Sequence, residues 1–435
     1  MIDTAVESGL PSGDFPALRC IECGASYSGR TQDFRCGCGG LLDAVHDLAG
    51  CKPETLRAAF EARLRHLTGI EHSGVWRYSE LVYPGAVASA VTALEGNTTL
   101  YTASRVSAWA GVAGLALKHE GENPTGSFKD RGMTVGITHA VAVGARAVAC
   151  ASTGNTSASM AAYASRAGLK AIVFIPYGSV ALGKLSQSIA YGARTVQVRG
   201  DFDAAMRIVA EITAGEGIYI LNSVNPFRLE GQKTIVFEML HQLGWEPPDW
   251  IVVPGGNLGN TSAFGKALYE ARALGLIAKL PRLAVIQASG SNPFFRAYER
   301  GFDRLEPVKA DTLATAIKIG DPVNYSKAKR SIEWTAGVVA QVTDAEILDA
   351  KAVVDAAGIG CEPASAASVA GVRKLAAAGV IHSADRVVAI LTGHLLKDPD
   401  STINYHFGRA GAEPGALANE PIVVEPDVKQ ILKVI

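Results

Sequence analysis

The sequence predicts an α/β fold built on a parallel sheet with both faces covered, and three observations predict it. Short apolar or β-branched runs alternate along the chain with Ala-rich helical stretches. These runs lack the apolar–polar alternation of a strand with one wet face, so they belong inside the molecule on both sides. Several of them also end in loops of Gly, Asn, Ser and Thr that lead straight into a helix, and in such sheets ligands bind beyond the carboxyl ends of the strands.

Size and charge bound the rest. At 435 residues, 48% of them hydrophobic, the chain can form two or three domains around a large core. A net charge of −1 offers no basic surplus for nucleic acid or an anionic membrane. No apolar run is long enough to span a bilayer. The start, MIDTAVESGLPSGDF, lacks the basic and apolar regions of a signal peptide. A soluble cytoplasmic protein is expected. Of the seven cysteines, Cys20, Cys23, Cys36 and Cys38 crowd together near the start, which in a cytosolic chain points to metal rather than disulfides.

After that cluster, KPETLRAAFEARLRHL reads as a helix, and a Gly- and Pro-punctuated connector leads to the main body near Thr98. RAVACA, KAIVFIP, RTVQVRG, GIYILNS, DWIVVP, RLAVIQA and RVVAILTG read as buried strands. VTDAE reads as a helix capping box, Thr343 with Glu346. The tail beyond Gly408 is broken by Pro and Gly and is expected to wrap a surface.

Three loops carry chemistry. GGNLGN (Gly255–Asn260) lies between an apolar strand and an Ala-rich helix, so its N–H groups can converge on an anion at the helix N-terminus. An ordinary tight turn is the bland alternative. ASTGNTSAS (Ala151–Ser159) has the same setting with hydroxyls and one amide, which suits a small carboxylate. Its bland alternative is capping by Thr156 or Ser157. In KHEGENPTGSFKDRGM, Lys129 stands in the first turn of a helix, where the dipole disfavours a cation by roughly 0.3–1 kcal/mol. That penalty eases if the amine is bonded to an aldehyde cofactor. A phosphate-cradling glycine loop, a carboxylate-sized loop and one placed lysine together fit pyridoxal phosphate.

Other chemistries are excluded. GSVALGKL (Gly178–Leu185) nearly spells a P-loop, but Leu185 replaces the hydroxyl residue that would hold magnesium, though Lys184 remains available to an anion. There is no G-x-S-x-G nucleophile elbow and no H-E-x-x-H pair. His394 in LTGHLLKD is a lone, structural histidine, and Cys51, Cys150 and Cys361 are buried small residues.

At these residues the chain resembles the threonine synthases. ENPTGSFKDRGMT, ACASTGNTSAS, SVNPFRLEGQKT, VVPGGNLGNTSAFGKA, CEPASAAS and LTGHLLKD look like that family's successive signature blocks, and the likeness runs from Gly74 to Asp398. EGNTTLY falls in a further block, with Thr99 where proline is more usual. The resemblance implies the tryptophan-synthase-β-like (fold type II) architecture: two doubly wound parallel-sheet domains preceded by a small zinc-ribbon-like segment. The implied division is 1–95 for the N-terminal segment, 96–140 and 226–410 for a large cofactor domain, 141–225 for a smaller inserted domain and 411–435 for the tail.

The resemblance also implies roles. Lys129 would form the Schiff base with pyridoxal phosphate and later shuttle protons. Asn155 would meet the cofactor's ring oxygen, Gly256, Asn257, Leu258, Gly259 and Asn260 would hold its phosphate, and Thr392 would face its pyridine nitrogen. Ser152, Thr153, Gly154 and Thr156 would bind the substrate carboxylate, with Lys184, Asn225, Arg228 and Arg131 as candidates for the substrate phosphate. The implied reaction converts O-phospho-L-homoserine and water into L-threonine and phosphate, in a homodimer. CIECGASYSGRTQDFRCGCGGLLD is similar to the zinc-ribbon start of some relatives, with Cys20, Cys23, Cys36 and Cys38 as ligands of a structural zinc. Cys36-x-Cys38 is one residue short of the usual second knuckle, which works against a tetrahedral set. The rivals are a β-replacing or β-eliminating enzyme of the same fold and a catalytically idle ligand-binding protein.

Overall fold

A computed structural model describes residues 15–152, 154–177, 182–199, 217–408 and 415–434, with the side chains of 182–184 outside the description. The strands sort into three sheets. Ala17–Cys20 (β1), Ser26–Tyr27 (β2) and Leu42–Val45 (β3) form a small antiparallel sheet in the order β2-β1-β3. Leu100–Thr102 (β4), Gly114–His119 (β5), Trp250–Pro254 (β10), Arg282–Ala288 (β11), Val338–Val342 (β12) and Arg386–Leu391 (β13) form a sheet ordered β12-β11-β10-β13-β5-β4. Ala147–Ala151 (β6), Lys170–Pro176 (β7), Arg194–Val198 (β8) and Ile218–Ile220 (β9) form a third, ordered β8-β7-β6-β9.

The expected parallel sheets are present, with one exception. Every pairing in the two larger sheets is parallel except β4 with β5, which is antiparallel at the edge. All five residues of β10 and all five of β6 are buried, as strands covered on both faces must be. Two apolar cores flank the six-stranded sheet, with Ile251, Val253, Val285 and Ile390 in one, and Val252, Ala284, Ile286 and Ala389 in the other. The alternation shows that they lie on opposite faces of the six-stranded sheet. The first core continues through Trp76, Tyr78 and Phe60 into Leu18, Phe34 and Leu42, so the small sheet is packed on the body rather than tethered to it.

Two buried ionic clusters fix the helices around this frame. Arg131, in the helix Lys129–Ala142, donates to Glu120 at 2.6 and 2.9 Å and to Glu238 at 2.8 Å. Glu238, in the helix Pro226–Gln242, also accepts from Lys118 of β5 at 2.7 Å. In the second cluster, Glu230 of that helix pairs with Lys233 and Lys266, and His46 beside β3 joins it. Asp43 of β3 pairs with Lys327 at 2.8 Å and Arg330 at 2.5 Å. The small sheet is therefore tied by charge to the helices behind the six-stranded sheet.

Two expectations need correction. Cys51 is only partly buried, whereas Cys150 and Cys361 are fully so. The described part of the tail is largely exposed, with Val423 at 95%; past Leu417 and Asn419, which bond Tyr405 and His406, it wraps little.

Candidate active site

Parallel register brings three loops to one edge. Trp250 to Val252 pair with Val387 to Ala389, and Arg386 to Leu391 with Gly114 to His119. The segments after β10, β13 and β5 therefore leave the sheet side by side: Gly255–Leu258, Thr392–His394, and the loop to Lys129. The last two are stitched together. Phe128 N donates to Thr392 O at 3.0 Å, His394 N to Gly126 O at 2.9 Å, and Ser127 bridges Gly393.

Lys129 is the first residue of its helix, as expected, and is partly buried, with its ammonium 4.2 Å from the Phe128 ring centre. Burial, and then the nearby Arg228 charge, push the amine down to about 7, while Glu362 pulls the other way. The helix is locked by Asp130, which accepts from Thr125 N at 2.7 Å, Thr125 Oγ1 at 2.6 Å and Ser159 Oγ at 2.5 Å. Ser159 belongs to the helix Asn155–Arg166 that follows β6, so one carboxylate registers the lysine loop against the four-stranded sheet.

The glycine loop starts the helix Gly259–Ala273, and no side chain caps it. Leu258 reaches the turn in the left-handed region, at φ 62°, with its side chain buried. Asn257 is held by Asn324, whose N and Nδ2 donate to its carbonyl at 3.3 and 3.2 Å. Asn260 Oδ1, Thr261 Oγ1 and Gln232 Oε1 are buried without hydrogen-bond partners, and a Cβ on Gly259 would stand 3.3 Å from that Gln232 oxygen. A cradle with uncapped N–H groups beside unsatisfied polar atoms is built to receive a polar group.

In the second loop, the helix at Asn155 likewise has no side-chain cap; Ser157 Oγ instead donates back to Gly154 O at 2.8 Å. Capping by Thr156 or Ser157 is thus not what these residues do. Gly154 N lies 3.4 Å from Ser152 Oγ. Thr153 lies outside the described residues, as does the side chain of Lys184 on the helix Leu182–Ala190. Asn155 Nδ2 donates to both oxygens of Glu362 at 3.1 Å. Thr392 Oγ1 lies 3.0 Å from Ser365 Oγ, which accepts from Gly393 N at 2.9 Å.

Two expected phosphate contacts are engaged elsewhere. Arg131 spends its guanidinium in the Glu120–Glu238 cluster and is 0% exposed, so it has no fork to offer a ligand. Asn225 caps the helix Pro226–Gln242, its Oδ1 accepting from Phe227 N at 3.0 Å and its Nδ2 donating to Ile220 O at 2.9 Å. Arg228 differs: Nη1 donates to Leu221 O at 2.9 Å, but Nε is buried with no partner, and burial lowers the group to about 10. Sequence reasoning missed Glu362, Ser365, Gln232 and Lys397. All four stand within quoted signature blocks; for Glu362 and Lys397 a charged residue just before a helix start was the available signal, whereas Gln232 lies inside its helix.

Away from this edge, the four thiols come together despite the short second knuckle. Cys20 and Cys38 Sγ are 3.6 Å apart, Cys23 and Cys36 Sγ 3.4 Å, and all four lie within 4.8 Å of one another. The one-residue knuckle works because a tight turn follows Cys36, with Gly39 N on Cys36 O at 2.8 Å and Gly39 at φ 88°. The N–H of Cys38 and the Tyr27 hydroxyl stabilise the Cys36 thiolate, lowering that thiol to about 6.

Residues 91–393 match the family model described as pyridoxal-phosphate dependent enzyme. The chain is 45% identical to threonine synthase of Methanocaldococcus jannaschii over 95% of this chain and 99% of that one. It is 45% identical to threonine synthase of Methanosarcina acetivorans over 96% and 98%. In fold it is similar to threonine synthase from Escherichia coli, with a TM-score of 0.68 at 18% identity, covering 95% of this chain and 94% of that one.

Proposed function

The chain belongs to the threonine synthases, a family of pyridoxal-phosphate-dependent enzymes, and on that premise we propose that its cleft converts O-phospho-L-homoserine and water into L-threonine and phosphate. The observation that carries the reading is Lys129. Its amine, lowered to about 7, stands at a helix start on the same sheet edge as an uncapped glycine cradle with orphaned polar atoms. That arrangement fits the cofactor's aldehyde at one end and its phosphate at the other.

When bound, pyridoxal phosphate supplies an aldehyde for the amine and a conjugated ring that takes up electrons released at the substrate's α carbon. Everything else falls to the chain. Gly256, Asn257, Leu258, Gly259 and Asn260, at a helix N-terminus, hold the cofactor phosphate. The Thr392 hydroxyl, supported by Ser365, would serve as the partner of the ring nitrogen and would leave it less readily protonated than a carboxylate would. Asn155, oriented by Glu362, would serve the ring oxygen. Ser152, Thr153, Gly154 and Thr156 hold the substrate carboxylate.

Lys129 keeps a large neutral fraction near pH 7 and so can take the α proton and later return it. The β proton is removed as the γ-phosphate departs and a proton is delivered to the γ carbon, which becomes the methyl group; water then adds its hydroxyl at the β carbon, its other proton leaving with the phosphate. Arg228, and Lys184 from the facing helix, are the remaining phosphate candidates, an assignment supported by the unpartnered Arg228 Nε.

The four thiols are read as ligands of a structural zinc: ligands about 2.3 Å from a tetrahedral ion stand about 3.8 Å apart, close to the spacings above. A cytoplasmic homodimer completes the reading, as the family resemblance implies; all seven cysteines are free, and no described helix is long and apolar enough to cross a membrane.

The test offers the cofactor-loaded protein O-phospho-L-homoserine, O-phospho-L-serine and L-threonine separately, following phosphate, threonine and keto acid. Equal phosphate and threonine from the first substrate alone supports the reading. Keto acid from threonine, or turnover of phosphoserine only, overturns it in favour of an eliminating or β-replacing enzyme.

A further inference from the structure

With Arg131 and Asn225 committed elsewhere, the cleft has fewer phosphate-binding groups than expected, and Lys397 is placed to make up the deficit. It ends the short turn Leu395–Lys397, just after Thr392 and Gly393, and is partly buried. Its ammonium donates to Gln187 Oε1 on the helix Leu182–Ala190, and Gln187 Nε2 donates onward to Thr125 O at 3.2 Å. The lysine thus spans from the six-stranded sheet to a helix of the four-stranded one, across the cleft. Gln187 is one helical turn beyond Lys184.

The path of the side chain is built for it. A Cβ on Gly126 would stand 3.0 Å from Lys397 Cε and 3.8 Å from Nζ, and Gly126 has φ 83°, where other residues are strained. Beside Gly126, Ser127 Oγ is buried and has no hydrogen-bond partner. Lys397 feels the carboxylates of Glu362 and Asp130, but its hydrogen-bond partner is a neutral amide. Glu362 is taken by Asn155, and Asp130 by Thr125 and Ser159. Among the described residues this partly buried cation is bonded only to an amide, which compensates it poorly, and an anion arriving in the cleft would complete it.

We propose that Lys397 is a phosphate-binding residue, exchanging the Gln187 amide for an oxygen of the substrate's phosphate and keeping that contact with the phosphate product. The proposal rests on the function assigned above. Because the phosphate binds there before and after the carbon–oxygen bond breaks, Lys397 contributes to binding and steering more than to the proton transfers of Lys129.

The experiment uses the cofactor-loaded enzyme and its Lys397→Met, Lys397→Arg and Gln187→Leu variants, with inorganic phosphate as the probe. Phosphate affinity is read by calorimetric titration, and KM and kcat for O-phospho-L-homoserine are measured alongside. Lys397→Met is expected to weaken phosphate and raise KM by about tenfold or more, the usual scale for one charge-assisted hydrogen bond. Lys397→Arg should restore most of the loss, Gln187→Leu should keep phosphate affinity, and the bound cofactor's absorbance should stay unchanged. Phosphate affinity within twofold of wild type in Lys397→Met would overturn the proposal and leave Lys397 as a strut between the sheets. If Lys397→Met does not fold, a phosphate affinity in Gln187→Leu weakened as much as KM would overturn it equally. Wild type that binds phosphate but does not turn over the substrate would sink the assigned function and leave the anion site standing.

Discussion

The side-chain amide of Asn155 spans both oxygens of Glu362 at 3.1 Å, and the charge of Lys129 reaches the same carboxylate. Burial raises Glu362, while Asn155, Lys397 and Lys129 lower it. Glu362 in turn opposes the fall of the Lys129 amine, whereas Arg228 drives it. Opposite charges thus act on one amine from two sides, and their removal has opposite signs.

Arg228→Met should raise the Lys129 pKa above its value of about 7, and Glu362→Gln should lower it. The measurement is the pH dependence of the rate at which cofactor-free protein forms its absorbing adduct with pyridoxal phosphate. That rate rises with pH as the amine loses its proton, so the midpoint moves up in the first variant and down in the second. Midpoints moving the same way would contradict the electrostatic account.

Glu238 is a hub for Arg131, Lys118 and the backbone of Asn97 and Thr98. Glu238→Gln leaves two buried cations short of a counter-charge and is expected to cost about 3–5 kcal/mol in denaturant unfolding. Those cations hold the Glu238 carboxyl far below the usual range, despite burial. A depressed pKa gives stability that is present above the unfolded value and lost as pH falls beneath it. The gap between wild type and variant should therefore narrow below about pH 4.

Much of this was legible because it is local. KAIVFIP and RLAVIQA name their strands to the residue, and the Thr343–Glu346 capping box forms as read. Lys129, Asn155, Thr392 and the glycine loop could be placed because each follows a strand at the sheet's ligand edge. Arg131 and Asn225 were misplaced because their partners, Glu120, Glu238 and Ile220, come from other elements, and pairing across elements leaves no mark on spacing. The antiparallel β4 was hidden for a similar reason: three residues are too few to show a period. Cys36-x-Cys38 looked too short because ligand spacing ignores the turn at Gly39, which aims the second thiol back.

The thiol cluster should bind one zinc per chain, measurable by atomic absorption, and Cys38→Ser should lose it. Asp43 and His46 anchor the small sheet through Lys327, Arg330 and Glu230, so the body should stay folded without the metal. Chelation is expected to cost about 2 kcal/mol or more, seen as an earlier melting step, with cofactor absorbance retained. Loss of the bound cofactor in parallel with the metal would show that the ribbon supports the active site rather than only its own sheet.

Lys129 makes the last prediction, and its sign runs against the usual expectation for a substitution at a partly buried site. Its amine has an ordinary value of 10.5 and is held at about 7 in the folded protein, chiefly by burial. Between those values the unfolded chain binds a proton that the native state does not. Native stability therefore rises with pH across that window, and at neutral pH and below the lysine is a net cost. Lys129→Met keeps the aliphatic stem and removes the charge. In cofactor-free protein it should gain about 2 kcal/mol at pH 7, well under the full linkage value because the residue is only partly buried. The gain should shrink as pH approaches the ordinary lysine range, while activity with the cofactor falls by at least about a thousandfold. Denaturant unfolding of both proteins at several pH values decides it. Equal stability at pH 7, or a difference that grows with pH, would mean that the folded protein does not depress this amine, and the chemistry assigned to it would have to rest on the cofactor alone.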